Sequence, residues 1–320
     1  MESTNVARQC LSSILLSVVV AGMFAWAPTI RAEEKGRNEG VSTPNPALVV
    51  PEKDWHALQK QQVWAQEKLD NVKLRSEWVK VKSGTRSINA WVVYPKRKKA
   101  PVVLVLHEAF GMTNSTRLTA AEIAEMGYVA IAADMVSGYG PNHGDADSFV
   151  EPGTLTYTLA HLTDAAVNAD INALGDYAAG LPESNGELAI AGLSWGGGAA
   201  FRYATTQHRK DVRAIFVFYD IGPPKETQKV PDAATPLSVE AISVPVYGFY
   251  PTGDKRTMSG LQPTKEAMAS AKKPFEWTVY QGADHAFLRV YEDPSNNNPA
   301  NEFAYHDAMK RLKSALKVCF

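Results

Sequence analysis

Cysteine is almost missing from this sequence. Its 320 residues carry two, Cys10 in the leading apolar run and Cys319 far from it, so no disulfide framework holds the chain together. No CxxC or HExxH spacing occurs, and neither a structural metal nor a cofactor is expected. An excess of either charge sign is also lacking, with 33 Lys and Arg against 34 Asp and Glu. A nucleic-acid-binding face needs basic residues clustered along one element, so that partner class is excluded. The one dense basic run, Lys96–Lys99, follows Tyr94-Pro95 between two strand-like segments and reads as a solvated hairpin loop. Repeats and low-complexity blocks are absent, and 45% apolar with 21% charged residues is ordinary globular composition.

Only one long apolar run is present, Leu11–Trp26. Arg8 precedes it, and a small residue, Ala32, follows it just before Glu33-Glu34. That order matches the three regions of a secretory signal. Extended to Ile30 the run reaches membrane-spanning length, but Pro28 and Ala32 favour removal. The expected organisation is a signal over residues 1–32, then a polar spacer with a short helix over 33–75, then one catalytic domain over 76–320. Asp54 is expected to cap that helix, which runs to about Leu69. The mature protein is expected to be periplasmic or secreted, monomeric and free of the membrane.

From Ser76 onward strand and helix patterns alternate. Trp78, Val79 and Val81, a Ser83-Gly84 turn, then Ile88, Trp91 and Val93 predict an antiparallel hairpin. Val102–Leu106 is an unbroken apolar run, as in a strand covered on both faces. Asn114, Ser115 or Thr116 is expected to cap the next helix, and the strand YVAIAAD ends at Asp134. There follow one long helix over about Leu155–Ala179, the strand LAIAG, a helix after Gly196, and the strands AIFVFYD and VPVYGFY. A helix over Thr264–Ala271, the strand FEWTVYQ and a helix over Glu302–Leu316 complete the series. Such alternation predicts an α/β fold, a mostly parallel sheet with helices on both faces.

One turn in that series carries chemistry. Gly192-Leu193-Ser194-Trp195-Gly196 follows an apolar strand and opens a helix, and glycines two before and two after the serine remove side chains that would clash in a sharp turn. The hydroxyl is thereby lifted above the sheet. A dinucleotide cradle, which would make the chain a nicotinamide oxidoreductase, needs GxGxxG, and Ser194 stands at its second glycine.

A serine hydroxyl needs a base, and the base needs an orienting carboxylate. Of the histidines after Ser194, His208 and His306 fall in helices, whereas His285 follows a strand in YQGADHAF. Asp254 follows the strand VPVYGFY and is the preferred acid; Asp220 is the alternative, and Asp284 is too near His285 in the chain to turn back onto its ring. The backbone N–H groups of Trp195 and Ala109 are expected to form the oxyanion hole.

These residues resemble the dienelactone hydrolase family within the α/β-hydrolase superfamily. The resemblance covers about Glu77–Leu316 and rests on LHEAFGM, GYVAIAADM, GLSWGG and GADHAF, with Asp254 before the last. It implies Ser194, Asp254 and His285 as catalytic residues and Ala109 as an oxyanion donor. Two departures accompany it. Members that open dienelactones have cysteine where this chain has Ser194, in exchange with a glutamate at Glu108. They also hold the substrate carboxylate with two arginines, of which only Arg289 has a counterpart here; a surface ion pair would equally explain that residue. Glu108 is then a hydrogen-bonding or polarity element, and His143 a solvated loop residue.

The function expected is cleavage of small carboxylic esters or lactones through an acyl-enzyme. A peptidase, an acyl-carbohydrate esterase and a non-catalytic binding protein remain as alternatives on the same fold. Asp220–Ser243, rich in proline, is expected to wall or cover the site. Asn114-Ser115-Thr116 matches a glycosylation sequon, but helix capping explains the same residues.

Overall fold

A computed structural model describes residues 62–206, 209–220 and 239–320. The signal segment, the spacer, Asp54, His208 and most of the expected wall, residues 221–238, lie outside the described residues.

Eight strands form one sheet in the order β1-β2-β4-β3-β5-β6-β7-β8. The first two, β1 (Ser76–Ser83) and β2 (Arg86–Val93), make the expected hairpin, with Trp78 opposite Trp91 and Val81 opposite Ile88. The turn between them uses Gly84 at φ +58°, a left-handed conformation that costs glycine little. Strand β2 then pairs antiparallel with β4 (Val129–Ala133), while β4, β3 (Ala100–Leu106), β5 (Ser184–Leu193), β6 (Val212–Phe218), β7 (Val246–Pro251) and β8 (Phe275–Tyr280) run parallel. Lys96–Lys99 is therefore not a hairpin loop, because β4 lies between β2 and β3. The reason is burial. All seven residues of β3 are buried, and a strand with two apolar faces needs a strand on each side and helices above and below.

The alternation along β3 shows how the core divides. Val103 and Val105 face one layer, with α1 (Val63–Asp70), α2 (Asn114–Glu125) and the last helix, α8 (Pro299–Cys319). Val102, Leu104 and Leu106 face the other, with α4 (Asp164–Gly180), α5 (Trp195–Thr206) and α6 (Lys255–Ser270). Each fully buried Val or Leu contributes about 1.5–3 kcal/mol, so a single strand anchors both layers. The α/β reading holds, with helices on both faces.

Several boundaries differ from the expected ones. Thr113 caps α2 by accepting the Thr116 N–H, and Asn114 is the first helical residue, itself buried. The expected long helix is two, α3 (Pro152–His161) and α4, because Thr163 accepts the Ala166 N–H and starts a new helix. Helix α6 begins at Lys255 and contains Pro263. The short α7 (Phe287–Glu292) has no counterpart in the sequence reading.

Chain path locates a crevice at one end of the sheet. After β3 the chain crosses to β4 on one side; after β5 it crosses to β6 on the other. The loops after these neighbouring strands diverge and leave a crevice at their carboxyl ends. Ala109 and Ser194 occupy those two loops.

Candidate active site

Ser194 sits at the turn between β5 and α5 with φ +51°, rare for a residue with a side chain. Its N–H donates to Phe218 O (3.0 Å), and its carbonyl accepts from Gly197 N (2.7 Å) and Gly198 N (3.1 Å), so the strained conformation is held from both sides. A Cβ on Gly192 would strike the Gly196 carbonyl, and one on Gly196 would strike the Leu106 carbonyl. Both glycines are required by contact, as the motif predicts.

His285 follows β8 in a turn tied to α8. The Asp284 N–H donates to Asn301 Oδ1 (2.8 Å), and Asp284 Oδ2 accepts from Asn298 Nδ2 and Asn301 Nδ2. Asp284 thus anchors the loop and faces away from the imidazole. Ala286 in the left-handed region, φ +61°, then turns the chain into α7. The half-exposed His285 ring places Nε2 2.8 Å from Ser194 Oγ and Nδ1 2.6 Å from Asp254 Oδ2.

Asp254 does two jobs. As the N-cap of α6 its Oδ1 accepts the Thr257 N–H (3.0 Å), while Oδ2 accepts from His285 and from Thr257 Oγ1. Burial alone would raise its pKa; the hydrogen bonds from His285 and Thr257 outweigh that and hold the carboxyl well below the usual range. Asp220 stands near Arg256 (3.4 Å) and is not a partner of His285. In this geometry the Ser194 proton has a receiver, and the receiver has an orienting carboxylate.

Both expected oxyanion donors lie at this rim. Trp195 opens α5, where first-turn N–H groups lack helical partners, and Ala109 lies in the loop after β3. Among the described residues no hydrogen bond engages either N–H.

Glu108 and Arg289 meet each other, and Tyr219, which contacts Glu108, lies edge-on to the His285 ring (5.3 Å). Arg289 Nε donates to Glu108 Oε2 (2.8 Å), Tyr219 Oη donates to Oε1 (3.1 Å), and the guanidinium lies 5.5 Å from the Phe110 ring centre. The pair is largely buried, at 24% and 7% side-chain exposure, so the surface ion pair is ruled out. The Glu108 charge raises the Arg289 pKa, and burial pushes the Tyr219 hydroxyl well up.

His306, on α8, contacts Tyr291 Oη of α7 (3.2 Å), and His143 is exposed in the loop after β4. A cleft of about 610 Å³, lined among others by Trp78, Asn89, Met112, Arg117 and Asp145, lies beside the loop after β3, and neither Ser194 nor His285 lines it. No group of three or more His, Cys, Asp or Glu side chains among the described residues is arranged to hold a metal ion.

Two contributors escaped the sequence reading. Thr257 had a signal: three residues after Asp254 in DKRT, it fits the spacing of a capping turn. His107 had none. Fully buried, its ring stacks on Trp195 (5.5 Å, 20°), with Nδ1 2.6 Å from Glu108 O and Nε2 3.1 Å from Met135 N.

Comparison with known proteins agrees with this architecture. The sequence profile of the dienelactone hydrolase family matches residues 88–318. A provisionally assigned carboxymethylenebutenolidase of Methylorubrum extorquens is 27% identical over 217 residues, 67% of this chain and 70% of that protein. One of Escherichia coli K12, likewise provisional, is 25% identical over 228 residues, covering 70% and 81%. The crystal structure of a provisionally assigned dienelactone hydrolase from Klebsiella pneumoniae superposes with a TM-score of 0.63 at 24% identity, over 74% of this chain and 97% of that one.

Proposed function

The chain belongs to the dienelactone hydrolase family, and from that premise we propose that it is an exported serine hydrolase cleaving small carboxylic esters or lactones through an acyl-enzyme. The observation that carries the reading is the continuous series Ser194 Oγ, His285 Nε2, His285 Nδ1, Asp254 Oδ2, with contacts of 2.8 and 2.6 Å. Ser194 Oγ attacks the acyl carbon as its proton passes to Nε2. The tetrahedral oxyanion settles on the N–H groups of Ala109 and Trp195, and the imidazolium returns the proton to the leaving oxygen. Water, activated by the same imidazole, then releases the acid. Ionised Asp254 keeps the proton of the resting imidazole on Nδ1 and stabilises the imidazolium when it forms. A non-catalytic binding protein has no need of this alignment.

Serine in place of the cysteine of dienelactone-opening members changes the activation. A hydroxyl is not ionised by a nearby carboxylate as a thiol is, so the base must be His285. Arg289, already paired with Glu108, is held for structure or polarity, which favours neutral esters over dienelactones. Residues 1–32 are read as the export signal.

The test is fluorophosphonate labelling of cell fractions from a host expressing the full chain, with peptide mapping of the labelled protein. Label is expected on Ser194, in the exported fraction, on a chain beginning near Glu33, and is expected to vanish in Ser194→Ala. Labelling that survives that substitution overturns the assignment; label confined to the cytosol on a full-length chain overturns export.

A further inference from the structure

We propose that His107 is a positioning residue, whose ring fixes the peptide plane that carries the Ala109 N–H and whose carbonyl, in the adjoining peptide, ties the same loop to the turn that holds Ser194. This rests on the reading of Ala109 and Trp195 as oxyanion donors.

The ring's tautomer follows from its neighbours. The Met135 N–H donates to Nε2 at 3.1 Å. A backbone N–H can only donate, so Nε2 carries a lone pair, and the single proton of a neutral ring is on Nδ1. Nδ1 lies 2.6 Å from the Glu108 carbonyl, which can only accept. Both backbone groups therefore dictate the same tautomer. Burial pushes the His107 pKa down to about 4, so that tautomer persists through neutral pH.

The consequence reaches the site through one peptide bond. The Glu108 carbonyl accepts from the His107 Nδ1–H and from Gly111 N (3.2 Å). In a planar trans peptide the C=O and the following N–H point in opposite directions. Clamping the Glu108 oxygen with two donors therefore aims the Ala109 N–H the other way and prevents the plane from turning over. The same residue also sets the second donor. The His107 carbonyl accepts from Gly196 N (3.1 Å), one residue past Trp195, whose ring stacks on the imidazole. Preorganised donors are effective because they need no reorganisation as charge develops, and here both are referenced to one residue, the first through its side chain and the second through its backbone carbonyl. An apolar residue could fill the volume, but it could not satisfy an N–H on one edge and a C=O on the other.

Three variants separate these roles. His107→Asn keeps a donor near the Nδ1 position, His107→Gln keeps an acceptor near Nε2 but no donor toward Glu108, and His107→Leu keeps neither. Hydrolysis of a 4-nitrophenyl ester and inhibition by a trifluoromethyl ketone, whose adduct places an oxyanion in the hole, are measured alongside thermal melting. His107→Gln is expected to lower kcat about 10- to 100-fold, less than the about 100- to 1,000-fold loss of a whole donor. KM should stay within about twofold, inhibitor affinity should fall in parallel with kcat, and His107→Asn should recover most of both.

Cooperatively melting variants with parental kcat, or equal impairment of Asn and Gln, would leave His107 as packing only. Independently of any variant, ¹⁵N-histidine NMR of the native protein is expected to show His107 protonated at Nδ1 alone; protonation at Nε2 overturns the inference. If Ser194→Ala still turns over ester, the underlying reading of the site fails instead.

Discussion

At the scale of single residues, the turn that carries Ser194 was legible because covalent geometry restricts it. Ser194 adopts φ +51°, and Gly192 and Gly196 face carbonyls that no Cβ could approach, so residue types there are nearly forced. His285 was readable for a related reason, since it is the one histidine after Ser194 that follows a strand. His107 was invisible because its partners are a carbonyl next door and an N–H 28 residues away, and no spacing rule connects them. Asp254 was readable as the partner of His285, but its capping of α6 was not, and the two roles separate by substitution. Asparagine caps a helix about as well as aspartate, so Asp254→Asn should keep its melting temperature while kcat falls about 10³- to 10⁴-fold, as the imidazole loses the anion that sets its tautomer. Asp254→Ala should lose activity and about 1 kcal/mol of stability besides. Steady-state kinetics with thermal melting checks both; parental kcat in the Asn protein would remove Asp254 from the mechanism.

At the scale of elements, strands were easier to foresee than helix ends. Apolar runs such as Val102–Leu106 and Val129–Ala133 have no alternative to full burial, whereas helix limits turn on single side chains such as Thr113 and Thr163 that accept one N–H each. Strand neighbours were not legible, because β4 enters between β2 and β3 through a pairing that local sequence does not encode. The β1–β2 hairpin is fastened to α4 by a device that is also non-local. Asp170, 1% exposed, accepts from Ser83 Oγ (2.6 Å) and from Arg86 Nη2 with both oxygens (2.7 Å each). Asp170→Ala should strand the arginine and the hydroxyl and cost about 3 kcal/mol, the low end for a broken buried pair because Arg86 keeps some solvent. Denaturant unfolding measures it, and a loss below about 1 kcal/mol would show that the hairpin is held by its apolar face alone.

At the scale of the whole molecule, fold class was readable from alternation, and the position of the site followed from it, since parallel sheets gather their loops at one end. Global stability carries a signature of that end. Burial raises the Asp134 carboxyl to about 6, against hydrogen bonds from Ala146 and Val136 that lower it, and burial lowers neighbouring His107 to about 4. In the unfolded chain the values are 3.8 and 6.5. Between pH 4 and 6 each state therefore holds one proton on this pair, on the imidazole when unfolded and on the carboxyl when folded. The opposing slopes cancel, and the pair adds little pH dependence to the parent. Asp134→Asn leaves only His107, whose depressed pKa makes stability rise as pH increases from about 4 to 6.5, by up to about 1.4 kcal/mol per unit. Urea titrations of parent and variant across that range check it, and parallel curves would refute the proton exchange.

Among the described residues the sheet is open, and β1 forms one of its two rims with Lys80 and Lys82 exposed on it. Lysines on an edge strand are a recognised guard against a second copy adding its own strand along that rim. Chain-to-chain zippering into filaments is therefore opposed along this rim, where the backbone would otherwise offer a free ladder.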